Sequence, residues 1–390
     1  LDQDGQNNLA MIGQLSAAVC CLGQYRWQSK AIFMSERDSN ENITTEEAII
    51  EPLADWLQQA APNIGAPISL SKFATGQSNP TYRLQTSNGG KVGRFVLRTQ
   101  PSGVLLKSAH AVDREYRIMK ALGSSAVPVP DMIAMCDDPK IIGMKFFIMR
   151  EVDGKTIFSP TLDGYNMADR RTLFFGQIGV LAALAKLDPF SLALQDFGKP
   201  SGYVERQLRT WTRQYRACET ETIPAMEFLL KQLPACLATE LPGLCVIHGD
   251  FRLDNLLICN RIDIAALIDW ELSTLGPTFV DLSYWCAMLR MDSGWPIGGL
   301  GGINRANLGI PEEAKLVDAF CGETGLHRPD NWDALIAFQC FRFAAILQGV
   351  LKRHLDGNAS ANNAASVGSQ AKLVAELGAN VLSQYLSSNH

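Results

Sequence analysis

The chain has 390 residues, 47% of them hydrophobic and 19% charged, with a formal net charge of −5. That is a globular rather than a disordered composition, long enough for two lobes and a sizeable core. The acidic balance without a Lys/Arg stripe argues against a nucleic-acid binder, and no apolar run approaches the roughly 18 residues that span a bilayer.

The apolar residues 15–23 have no basic residue before them, so they do not read as a secretory signal. The chain opens on Leu, and Met34 begins a polar stretch that reads as a natural start. Residues 1–33 are therefore expected to come from an over-extended reading frame, and residues 1–43 to form an extension outside the domain. The 10 Cys are scattered apart from Cys20 and Cys21, and the 5 His are equally dispersed, which leaves a zinc site little support. The thiols read as buried and free in a cytoplasmic protein.

A first helix is predicted from about Thr45, because Thr44 and Glu47 have capping-box spacing and Ile49, Leu53, Trp56 and Leu57 share one face. Three short strands follow at 68–73, 81–85 and 94–99, separated by Gly/Ser/Asn turns. A helix over 109–122 is ended by Gly123 and the pair Pro128 and Pro130. Strands at 132–136 and 144–149 complete a small lobe, residues 44–152.

From residue 153 to 390 the pattern turns helical. The helix over 167–187 carries Leu173, Phe174, Ile178, Leu181 and Leu184 as a core-facing stripe. More helices are predicted over 204–215, 223–239, 312–324, 332–355 and 370–386, and the Ala/Asn/Ser/Gly-rich residues 358–369 read as a mobile connection. The fold class is α+β, with a small sheet-rich lobe before a larger, mostly helical one.

Between those helices lies the run Val246-Ile247-His248-Gly249-Asp250-Phe251-Arg252-Leu253-Asp254-Asn255, followed by Ala266-Leu267-Ile268-Asp269-Trp270. Asp250, Asn255 and Asp269 thus sit on short turns after apolar, strand-like runs. Any one of them could simply end a strand or cap a turn, but the combination has a chemical logic. The five-residue step from Asp250 to Asn255 matches the catalytic loop of protein kinases, where a His also precedes the Asp by two. Attack of an alcohol on a γ-phosphoryl needs alignment more than strong deprotonation, because the transition state is loose. Asp250 would orient the acceptor hydroxyl and collect its proton, while Asn255 and Asp269 offer hard oxygens to Mg²⁺. His248 reads as support for the loop, and Arg252 as either a phosphate or substrate contact or a residue that orders the loop. A P-loop kinase is disfavoured by the lack of any Gly-x-x-x-x-Gly-Lys-Ser/Thr run.

The segments His248 to Asn255 and Ile268-Asp269-Trp270-Glu271 resemble the aminoglycoside phosphotransferase and choline kinase superfamily. A narrower resemblance, to the kinase-like domains fused to acyl-CoA dehydrogenases, rests on four phrases. These are Gly76-Gln77-Ser78-Asn79-Pro80-Thr81-Tyr82, Val96-Leu97-Arg98, Arg114-Glu115-Tyr116-Arg117 and Phe341-Arg342-Phe343-Ala344-Ala345-Ile346. The resemblance implies a protein-kinase-like two-lobe fold with ATP in the cleft. It places the phosphate-covering loop at Gly76, Gln77, Ser78 and Asn79, and puts Arg98 where kinases carry the phosphate-contacting Lys, with Glu115 as its partner. Backbone near Glu151 and Val152 would meet adenine, and Asp281 would fix local structure, although Gly276-Pro277-Thr278 stands where the family often has Gly-Asp-Pro.

The expected activity is ATP- and Mg²⁺-dependent phosphoryl transfer to a hydroxyl of a small molecule, held by segments 285–295 and 341–353. An anionic acceptor such as a hydroxyacyl-CoA would use Arg290, Arg305, Arg342 and Arg353. An amino-sugar or amino-alcohol would use acids such as Glu271, Asp292, Glu312, Glu313 and Glu323. The competing expectation is a catalytically inactive, nucleotide-binding pseudokinase acting as an interaction module, against which the intact Asp250, Asn255 and Asp269 argue. Neither nucleic acid nor a membrane is an expected partner, and the oligomeric state is left open.

Overall fold

The computed structural model describes residues 39–73, 79–101, 111–237, 241–357 and 363–388. They divide into two compact units, residues 39–124 with 129–153, and residues 125–128 with those from 154 onward.

The first unit contains α1 (Ser39–Ala60), β1 (Ala66–Lys72), β2 (Thr81–Asn88), β3 (Lys91–Thr99), α2 (Val112–Leu122), β4 (Met132–Cys136) and β5 (Phe146–Arg150). Its strands form one antiparallel sheet in the order β1-β2-β3-β5-β4. β2 and β3 run longer than predicted because Gly89 and Gly90, at φ +57° and +82°, make a two-residue turn that keeps Asn88 paired with Lys91. Ile49, Leu53 and Leu57 of α1 pack with Leu70, Leu84, Phe95 and Leu97 of the sheet, and Trp56 meets Phe146 edge to face at 4.9 Å. α1 starts at Ser39, earlier than expected, so Thr44 lies inside the helix rather than capping it. The helix thus begins within the segment 1–43 read as an extension.

The second unit contains α3 (Met167–Ala185), α4 (Tyr203–Cys218), α5 (Pro224–Cys236), β6 (Cys245–Ile247), β7 (Leu256–Cys259), β8 (Asp263–Leu267) and β9 (Thr274–Gly276). After these come α6 (Val280–Arg290), α7 (Arg305–Leu308), α8 (Glu313–Thr324), α9 (Trp332–Leu355), α10 (Ala364–Gly368) and α11 (Ala371–Ser388). β6 pairs with β9 and β7 with β8, both antiparallel.

α9 bears on two expectations. By length and composition it could cross a bilayer, but 94% of its most apolar 18-residue window is buried inside the unit, where it packs on α4, α6 and α11. Gln339, Arg342 and Gln348 break up its apolar run in sequence, and all three are buried with hydrogen-bond partners. Phe341 to Val350 are therefore core rather than a substrate wall. α10 corrects a third. Ala364–Gly368, expected to be mobile, is a short helix, and a Cβ on Gly368 would lie 2.6 Å from the Leu351 N atom. The small residues there serve close packing. α6 was not predicted because Val280 to Leu289 are all buried, which leaves no amphipathic period to read.

Every cysteine among the described residues is free, and Cys136, Cys245, Cys286 and Cys340 are buried. Cys20 and Cys21 lie outside the described residues, as do residues 1–33 and Met34.

Candidate active site

β6 delivers the chain to His248, and Gly249 turns it at φ +85°. A Cβ on Gly249 would lie 2.7 Å from the Leu272 carbonyl oxygen, so only glycine fits. The N–H groups of His248 and Gly249 donate to Asp281 Oδ2 (2.6 Å) and Oδ1 (2.9 Å) in the first turn of α6. Burial pushes the Asp281 carboxyl up even with these donors in place. The His248 ring is fully buried and meets Trp270 edge to face at 4.7 Å. Its Nδ1 accepts from the Asp250 N–H at 3.3 Å, which leaves Nε2–H to donate to the Ile268 carbonyl at 3.0 Å. His248 and Asp281 thus shape the loop, in the roles expected of them.

Asp250 is buried, with a donor on each oxygen. The Tyr284 hydroxyl donates to Oδ1 at 2.7 Å, and Asn255 Nδ2 donates to Oδ2 at 3.2 Å and to the Asp250 carbonyl at 2.9 Å. Arg252 Nε lies 3.6 Å from Oδ1. Burial pushes the Asp250 carboxyl up, but the charge of Arg252, the Tyr284 hydroxyl, His248 and the charge of Arg342 together outweigh it and hold the group below its usual value. Asp250 is therefore ionised at neutral pH.

A single 3-10 turn, Leu253–Asn255, presents Asn255. The Ile268 N–H donates to the Asn255 carbonyl at 2.9 Å, and Leu256 pairs with Leu267 at the start of the β7–β8 hairpin. That register sets Asn255 and Asp269 at the same end of the hairpin. Asp269 holds φ +68°, ψ 58°, a left-handed conformation that costs an L-residue about 1–2 kcal/mol. With Asn255 Nδ2 engaged by Asp250, Oδ1 is the atom it can offer a cation. An amide oxygen and a carboxylate are hard donors that fit Mg²⁺, which takes few protein ligands beside phosphate oxygens.

Arg252 Nη2 donates to Asp254, and both side chains are buried. Of the two roles read for Arg252, this geometry supports ordering the loop. Burial pushes Asp254 up to about 6, against the pull of Arg252. Asp254, Tyr284 and the true position of Arg342 were missed by sequence reasoning. Asp254 adjoins Asn255 in the motif, and Tyr284 follows Asp281 by three residues, the spacing that puts two side chains on one helix face.

Arg342 was expected to meet an anionic acceptor. Instead its Nη2 donates to the Gly249 carbonyl at 2.8 Å, and its guanidinium lies over the rings of Tyr284 (5.2 Å) and Trp211 (5.7 Å). Arg290 is likewise bound to Glu313 and Asp333, and Trp332 also donates to Glu313. Arg290 and Glu313 are thus internal partners rather than acceptor contacts. A small cavity of ≈ 30 Å³ adjoins the catalytic loop, lined by Arg252, Leu253, Asp254, Phe158, Phe174 and Trp285 among others.

In the first unit, Arg98 Nε donates to the buried Glu115 Oε2 at 2.7 Å. Thr81, paired with Arg98 across β2 and β3, lies 3.5 Å from its Nη1 and donates to the Asn79 carbonyl at 3.0 Å. Asn79, Arg98 and Glu115 are thereby brought together. Gly76, Gln77 and Ser78 lie outside the described residues. The Glu151 N–H donates to the Arg94 carbonyl at 3.2 Å, and the Glu151 side chain pairs with Arg83 at 2.7 Å. An adenine contact at this position would fall to the Glu151 carbonyl and to Val152.

A five-stranded antiparallel sheet with a β3 Arg–helix Glu pair, and a helical unit bearing an Asp–Asn loop and a following Asp, define a protein-kinase-like fold. The model of the phosphotransferase enzyme family matches residues 69–317, and the chain belongs to that family. It is 42% identical over 313 residues to acyl-CoA dehydrogenase family member 10 of Mus musculus, covering 80% of this chain but only 29% of that protein. A solved structure from Ralstonia eutropha, provisionally labelled an aminoglycoside phosphotransferase, is 37% identical. It superposes with a TM-score of 0.78 over 86% of this chain and 98% of its own. An aminoglycoside phosphotransferase solved with AMP-PNP and hygromycin B shares the fold, with a TM-score of 0.56 and 15% identity over 85% of this chain and 98% of its own.

Proposed function

We propose that the protein is an ATP-dependent kinase that transfers the γ-phosphoryl group to a hydroxyl of a small molecule. The observation that carries this reading is Asp250, buried and held at both oxygens within a loop of kinase spacing. Its carboxylate would accept the hydrogen bond of the acceptor hydroxyl, align it and collect its proton. Asn255 Oδ1 and Asp269 would hold Mg²⁺, which when bound offsets charge on the phosphate oxygens. Arg98, steadied by Glu115, would contact the α/β-phosphates, with a broader and planar head than a lysine.

The walls beside Arg252 and Asp254 are largely apolar and aromatic. Of the two acceptor classes, a hydroxyacyl compound is preferred over an amino-sugar. The similarity to an acyl-CoA dehydrogenase family member supports the same choice.

The test is a screen of hydroxyacyl-CoAs, amino-sugars and amino-alcohols with Mg·ATP, read by mass spectrometry of the phosphorylated product. Asp250→Ala is expected to lower transfer by at least about 100-fold while Mg·ATP binding persists. Binding of Mg·ATP without any Asp250-dependent product from the panel would instead favour an inactive scaffold.

A further inference from the structure

We infer that Tyr284 is the positioning residue for the catalytic carboxylate, clamped in place by Arg342. The inference rests on the kinase reading of Asp250 and adds to it two residues outside the motif. An aspartate side chain turns about two bonds, and a carboxylate that must meet a hydroxyl in line with a phosphoryl group cannot be left to rotate. The loop backbone alone does not stop that rotation. Asn255 holds Oδ2 at 3.2 Å, while Oδ1 receives the shorter bond, 2.7 Å, from Tyr284.

Tyr284 lies one helical turn beyond Asp281, and Asp281 fixes the backbone N–H groups of His248 and Gly249. One turn of α6 therefore sets both the path of the loop and the plane of its carboxylate. α9 closes the arrangement from another direction. Arg342 holds the Gly249 carbonyl at 2.8 Å while its flat head covers the Tyr284 ring at 5.2 Å, with Trp211 on the same guanidinium at 5.7 Å. The tyrosine is thus fixed by the residue that also fixes the loop. Burial, and next the Asp250 charge, keep the phenol protonated and a permanent donor.

Without the phenol oxygen, the charged group within 4 Å of Oδ1 is Arg252, whose Nε lies 3.6 Å away. In Tyr284→Phe the carboxylate is therefore expected to swing toward Arg252 to an ordinary ion-pair distance of about 2.8 Å, away from the acceptor.

The experiment uses the full chain as wild type, Tyr284→Phe and Asp250→Ala. Each is measured for phosphate release from Mg·ATP, to water and to any acceptor found, and the Phe variant is also crystallised. The expected result is a kcat about tenfold lower in Tyr284→Phe, with KM for Mg·ATP unchanged and the Asp250 carboxylate turned toward Arg252. An Asp250 carboxylate in its wild-type orientation in the Phe variant would overturn the inference. So would an unchanged kcat, or a loss in kcat matched by an equal rise in KM for Mg·ATP. If wild type and Asp250→Ala release phosphate equally, the kinase reading fails, and the Asp250 orientation in the Phe crystal still decides the role of Tyr284.

Discussion

Gly249 bends the chain at φ +85° against the Leu272 carbonyl, so Gly249→Ala is expected to distort the loop and destabilise the fold. A strained φ contributes about 1–2 kcal/mol and the clash adds to it, which urea unfolding would read as a lower midpoint. Asn255→Ala and Asp269→Ala should each raise the Mg²⁺ concentration needed for half-maximal turnover by tenfold or more, on the order of what the loss of one ligand costs. Asp254 adds a pH effect. Its folded pKa is raised to about 6, so the native state holds a proton that the unfolded chain has already released. Stability should therefore fall as pH climbs through the window between about 4 and 6. Asp254→Asn should flatten that decline, and an unchanged slope in denaturant unfolding at pH 4 and pH 6.5 would contradict the assignment. The motif residues Asp250, Asn255 and Asp269 were legible because their spacing is local. Tyr284 and Arg342 were not, because they reach Asp250 and Gly249 across 34 and 93 positions of sequence.

Elements that bury one face could be read from their period, and of those that bury every face the long α9 could be read and the short α6 could not. α3, with its stripe of Leu173, Phe174, Ile178, Leu181 and Leu184, begins at the predicted Met167 and ends at Ala185, two residues early. α6, buried all round and 11 residues long, left no period, and α10 hid behind small residues that resemble a linker. The pairing of β3 with α2 through Arg98 and Glu115 agrees with the family resemblance. Glu115→Gln should raise KM for Mg·ATP by about tenfold, as expected when a positively charged contact loses its charged partner, and lower the melting temperature, because the pair is buried. A drop in kcat alone would place the pair elsewhere in the reaction. Gly368 supplies a packing test. Gly368→Leu drives a side chain into Leu351 and should cost about 1–3 kcal/mol, measurable as a lower urea midpoint.

At the scale of the whole molecule, the α+β class followed from a change of period, 2 in the first unit and 3.6 in the second. The family resemblance made that class specific. Residues 125–128 belong to the second unit, where the Pro128 carbonyl accepts from the Leu267 N–H at 2.8 Å. A short proline-flanked segment has no period from which that could be read. The chain spans 29% of acyl-CoA dehydrogenase family member 10, so any coupling of phosphorylation to a dehydrogenase is a proposal about a larger protein. Phosphoryl transfer by this protein depends on Asp250, and one assay tests that dependence most directly. Wild type and Asp250→Ala are compared for transfer of radiolabelled γ-phosphate from Mg·ATP to hydroxylated acceptors, with nucleotide binding followed in parallel by thermal shift. The predicted result is labelled acceptor from the wild type alone and equal stabilisation of both proteins by Mg·ATP. Equal labelling by the two proteins would contradict it.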